Sequence, residues 1–147
     1  MSQRPPERDE LDALLDPLLE FAQEMLRKQG EFFPFGGTIT SEGQMSLTAA
    51  DTGDERPASQ DVVELLARGM RAQATAGAIR AAAICYDSRF TPKGGAKTDA
   101  IAVSLEHRDG DAVLVMQPYS KGRFTGLTFG QLVAMDPGER RVFPSHA

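Results

Sequence analysis

The stretch "AIRAAAICYDSRF" (residues 78–90) is apolar at nearly every position. A half-buried strand alternates apolar and polar residues. Here Ile79, Ala81, Ala83 and Cys85 fill one parity, and Ala82, Ile84 and Tyr86 fill the other. That pattern describes a strand covered on both faces. Two more strands follow, "KTDAIAVSLEH" (97–107) and "AVLVMQPY" (112–119), giving a meander. A loop near residues 92–97 makes paired positions of the first two strands sum to 188, so Cys85 faces Val103 and His107 faces Ala81. Asp109-Gly110 reads as a two-residue turn, which makes the next pair sum to 219 and sets Leu105 opposite Leu114.

Upstream, Leu11, Leu14, Leu15, Leu18, Leu19, Ala22, Met25 and Leu26 recur at helical spacing. Asp16-Pro17 reads as a helix start or a kink within that helix, and Gly30 ends it. In "EFFPFGGTIT" (31–40), Pro34 extends the chain, and Phe33, Phe35 and Ile39 share one face. Across the turn "SEG" (41–43), Met45, Leu47 and Ala49 continue that face, which predicts a half-buried hairpin. Ser59 is placed to cap a second helix with Val62, Val63, Leu65, Leu66, Met70 and Ala74 on its apolar side. Gly69 suggests close packing on a sheet, and Glu64 and Arg68 form an i,i+4 pair.

The expected fold is α+β, a two-layer sandwich of order α-β-β-α-β-β-β, with both helices on one face of an antiparallel sheet. Residues 1–8 are expected as a flexible tail and residues 9–147 as one domain. Residues 121–144 are expected to lie over an edge as one more short strand or a turn of helix.

The net charge of −5 disfavours binding to nucleic-acid phosphates. Residues 1–60 carry 12 acids and 5 bases, and residues 61–147 carry 9 acids and 11 bases, so the positive charge gathers in the second part. A single cysteine, Cys85, forms no internal disulfide and points to a reducing cytoplasm. Nothing reads as a signal peptide or a membrane span.

The chemistry-bearing residues do not assemble into a catalytic set. Cys85 and His107 stand four residues apart along their ladder, about 13 Å, too far for a nucleophile and its base. Two histidines without zinc-ligand spacing give no metal site, and "KGGAKT" (93–98) lacks the glycine of a phosphate loop before its lysine. No cofactor is expected. Asp87 and Asp99 share a face near one hairpin end, where two buried carboxylates would suit acid–base work; the plainer reading pairs Asp87 with Arg89 or Lys97 at a sheet edge. Arg89, Lys93, Lys97, Lys121 and Arg123 converge at one end of the sheet beside glycine loops, a candidate anion or acidic-partner site. With both helices on one side, Ala82, Ile84, Tyr86, Ala102, Val113 and Val115 form an uncovered apolar face, which predicts a homodimer through it.

The element order resembles roadblock and profilin-like folds, and loosely the small acidic type III secretion chaperones. "FFPFGGTI", "ICYDSR" and "AIAVSLEHRDGDAVLVMQPY" resemble blocks of short bacterial proteins of unknown function over most of residues 20–120. That resemblance supports the fold boundaries and implies no activity. The expectation is a non-enzymatic protein-interaction module of immunity, chaperone or regulatory type. The alternative is a small ligand-binding or enzymatic domain using a cleft at Phe35-Gly37 with the basic loops.

Overall fold

Residues 6–49, 58–91, 94–122, 126–135 and 137–144 are described in the computed structural model. The elements run α1 (Pro6–Gln29), β1 (Phe35–Thr40), β2 (Met45–Ala49), α2 (Ser59–Thr75), β3 (Ile79–Phe90), β4 (Thr98–His107), β5 (Ala112–Gly122), β6 (Gly126–Phe129) and β7 (Val133–Met135). One antiparallel sheet has the order β2-β1-β3-β4-β5-β6, with β7 also paired to β5. The α+β sandwich and the order α-β-β-α-β-β-β are as expected, and β6 and β7 extend it. No helix among the described residues is long and apolar enough to cross a membrane.

α1 begins at Pro6, so residues 6–8 belong to the helix and not to a tail, and residues 1–5 lie outside the described ones. Proline suits a first helical position, where its missing N–H would have no partner. Glu7 and Asp9 in the first turn and Arg27 and Lys28 in the last match the helix dipole. Pro17 lies within the helix and does not start it. It removes the donor to the carbonyl of Ala13, and Ala13 is exposed, so solvent can serve that group. α2 starts at Ser59 after the extended Ala58, without a side-chain cap, and Gly77 ends it at φ +74°.

The two helices lie on opposite faces of the sheet. Ala81, Ala83, Cys85, Ile101 and Val103 pack under α1 with Leu14, Leu18 and Leu26. Ala82 and Ile84, on the other parity of β3, pack under α2 with Val62, Leu66 and Met70. Topology requires a crossing. β2 and β3 are both antiparallel to β1 and flank it, so they run parallel to each other. Parallel strands need a crossover, and α2 is that crossover, passing over β1. The expectation of both helices on one face is therefore corrected, and the two-sided burial of β3 is satisfied within one chain.

β4 pairs β3 in the expected register, with Cys85 opposite Val103 and His107 opposite Ala81. β5 does not follow the expected register. Leu105 faces Val113 and Val103 faces Val115, so pairs sum to 218. The hairpin has a three-residue loop, Arg108-Asp109-Gly110, closed by the amide of His107 donating to the carbonyl of Asp111 at 3.0 Å. Gly110 serves close approach: a Cβ there would lie 2.7 Å from Cβ of Glu7 on α1. The one-residue shift exchanges the faces of β5. Val113 and Val115 go under α1, while Met116 and Leu114 join Ala100, Ala102, Tyr86 and Phe90 on the opposite side. The expected dimer face is thus divided between two faces. Ala82, Ile84, Ala102, Val113 and Val115 are buried in the single chain, and Tyr86 is half-buried.

β6 pairs the far half of β5 and β7 the near half, with registers that differ by one residue, so a bulge separates them. The chain then turns over the α2 face, where Val142 and Phe143 pack with α2 and Ile84.

The first hairpin also differs from expectation. β1 is buried almost throughout, whereas every residue of β2 is exposed, including Met45 and Leu47. Phe33 is exposed and Phe32 is buried in its place, because residues 31–34 precede the strand and do not follow its parity.

Candidate functional site

Gly36 and Gly37 line no cleft. A Cβ on Gly36 would lie 2.4 Å from Cε of Met70 and 2.8 Å from the carbonyl oxygen of Ala83. One on Gly37 would lie 3.0 Å from Cδ1 of Leu14. The glycines let α2 and α1 press on β1 from its two sides, and Phe35 packs edge-on against Phe32 and Phe21. The segment is scaffold.

Cys85 is fully buried, and that burial, with Asp87 nearby, pushes its thiol far above the ordinary value. It is an inert small apolar residue. Both ring nitrogens of His107 are engaged. Nδ1 accepts the Asp109 amide at 3.0 Å, and Nε2 donates to Oε1 of Glu10 at 2.7 Å. Neither is open to take a proton from a substrate.

Glu10 also accepts from both Nε and Nη2 of Arg80, and Nη1 of Arg80 donates to the carbonyl of Ser41 at 3.1 Å. Burial pushes the Glu10 carboxyl up, but the hydrogen bonds from Arg80 and His107 outweigh it and hold the group below its ordinary 4.5. This trio fastens α1 to β3 and to the end of β4. Sequence reasoning had no signal for Glu10 or Arg80, since they meet across 70 positions.

Glu106 is 2% exposed. Its carboxylate accepts the backbone amides of Arg141, Val142 and Phe143 at 2.9–3.1 Å. Arg140 donates to the carbonyls of His107 and Gly110, and the Arg141 guanidinium lies over the Tyr86 ring. A fixed nest of amides around a carboxylate is a clasp for the chain's own segment. A signal existed here: a charged residue on the buried parity of a two-sided strand must have partners.

At the opposite end of the sheet, Arg89, Lys97 and Lys121 border one depression of about 400 Å³ with Asp99 and Tyr119. Lys93 and Arg123 lie outside the described residues. Arg89 stands 3.8 Å from Asp99, and Lys121 donates to the carbonyl of Gly30 at 2.9 Å, closing the end of α1. Asp87 accepts from the Tyr119 hydroxyl at 2.8 Å and does not pair with Arg89 or Lys97. Burial, chiefly, raises the Asp87 carboxyl, and burial with the Asp87 bond raises the Tyr119 hydroxyl. Two of the three described bases thus have structural partners. Among the described residues no three metal-ligating side chains gather.

The remaining feature is the β2 edge. Met45 and Leu47 are 43% and 46% exposed, and Phe21 on α1 is 43% exposed. Leu47 and the outer flank of α1, with Pro17, Phe21, Glu24 and Lys28, enclose an open groove of about 580 Å³. The hydrogen bonds of β2 follow from its neighbours. Thr40 donates its amide to the carbonyl of Gln44, so the even-numbered residues of β2 bond β1. The N–H and C=O groups of Met45, Leu47 and Ala49 therefore point outward, with no strand beside them among the described residues. β2 has no charge, proline or bulge, the usual protections of an edge.

No protein-family model matches this chain, and no curated protein or solved structure matches it either.

Proposed function

We propose that the protein is a non-enzymatic interaction module that binds through the β2 edge and the adjoining flank of α1. One observation carries the reading. A straight, uncharged edge strand presents three outward donors and three outward acceptors beside exposed Phe21, Met45 and Leu47. Unpaired backbone groups next to an apolar strip suit an added strand. The engagement of both His107 nitrogens and the burial of Cys85 favour binding over catalysis. A lone buried thiol suits a reducing compartment such as the cytoplasm. Panning random displayed decapeptides against dilute protein tests the reading. The selected sequences should alternate apolar with small polar residues and should bind Leu47→Lys at least tenfold more weakly. Peptides that bind this variant unchanged would remove β2 as the binding surface.

A further inference from the structure

The geometry points to a second copy of this chain as the occupant of the β2 edge, paired antiparallel about a two-fold axis at Leu47. The inference rests on the reading of β2 as a binding edge and adds its partner and register.

The outward groups set the register. In an antiparallel pair, a hydrogen-bonded pair of residues exchanges both N–H···O bonds. Centring the axis on Leu47 sets Leu47 opposite Leu47 of the other copy and Met45 opposite Ala49 of the other copy. All three outward residues of each strand then stand in hydrogen-bonded positions, and six bonds close. The side chains agree. Met45, Leu47 and Ala49 meet one another on one face, while Ser46 meets Thr48 on the other, so like faces like. The other edge of the sheet is unsuited to this role, because the bulge between β6 and β7 breaks its ladder.

A two-fold axis normal to the sheet puts both α1 helices on one side, so the flanks that carry Phe21 and border the groove beside Leu47 lie on the same face of the joined sheets. The five-residue seam alone is small against the roughly 800 Å² per partner of a stable interface. The α1 flank around Phe21 and the groove beside Leu47 supply further area.

Cysteine cross-linking of the full chain tests the register. The native Cys85 is buried and does not interfere. Cα atoms of a hydrogen-bonded antiparallel pair lie about 5.5 Å apart, within disulfide reach. Leu47→Cys should therefore give a disulfide-linked dimer in high yield under mild oxidation. Ser46→Cys should not, because the two copies of residue 46 stand diagonally about 7–8 Å apart. Light scattering of the parent at tens of micromolar should give twice 15.9 kDa. Leu47→Pro removes an outward donor and leaves the β1 ladder whole, so it should weaken the dimer at least tenfold with little change in melting temperature. A monomeric parent, equal cross-linking at residues 46 and 47, or an undiminished Leu47→Pro dimer would each overturn the inference. If displayed peptides still require Leu47 in that case, the second copy alone is refuted. If they do not, the binding edge falls with it.

Discussion

Gly36 and Gly37 sit where two helices press on one strand from opposite sides, and their value is the absence of a side chain. The pressure on Gly36 comes from the flexible end of Met70 and from the fixed carbonyl of Ala83, and only the first can move aside. Gly36→Ala is therefore expected to lose roughly 1–3 kcal/mol by overpacking. Gly69, in α2, has open space around it, so it serves no close packing on the sheet. Gly69→Ala should gain about 1 kcal/mol from helix propensity alone. Urea unfolding of both variants checks the pair, and a Gly36→Ala protein as stable as its parent would contradict the packing argument. The local sequence is the same glycine in each case, so only the neighbours distinguish scaffold from dispensable position.

Among the elements, the segment after β7 is fastened to β4 through the Glu106 carboxylate. The amides of Arg141, Val142 and Phe143 all end on Glu106, and Val142 and Phe143 help cover Ala82 and Ile84. Hydrogen bonds to a charged group contribute roughly 1.5–3 kcal/mol each, and a carboxamide cannot accept at both positions. Glu106→Gln should loosen the segment, seen as faster amide exchange at Arg141–Phe143 and tryptic cleavage after Arg140 or Arg141. Equal cleavage of parent and variant would show that the clasp holds nothing. This contact joins residues 35 to 37 positions apart, which explains why periodicity did not reveal it. The faces of β5 were hidden for a different reason. Asp109-Gly110 fits a two-residue turn, but Gly110 answers to Glu7 across the molecule, and one extra loop residue reverses a strand's faces. Strand existence and the β3–β4 register were legible, because two-sided apolarity and a short connection fix them locally.

At the scale of the molecule, Glu10 joins α1 to β3 and β4 and gives stability a pH dependence. Its carboxyl lies below the ordinary 4.5 when folded, so its contribution is present at neutral pH and is lost as pH falls through the lowered value. Asp87 is raised and acts in the opposite sense, favouring the fold at low pH and losing that contribution as pH rises through its folded value. Comparison with a variant separates the two. Urea midpoints measured from pH 7 to pH 3 should fall less steeply for Glu10→Gln than for the parent, and parallel curves would refute the fastening role. The helix arrangement was legible only in half. β3 announces cover on both faces, but which helix provides it follows from strand order, and strand order is set by pairings between distant residues. That order also bears on truncation. A chain ending before residue 139 has β3, β4 and β5 but lacks the amides that Glu106 accepts, so it shows part of a bare apolar face. Such a truncated chain, released from the ribosome, should therefore be a better chaperone client than the whole one.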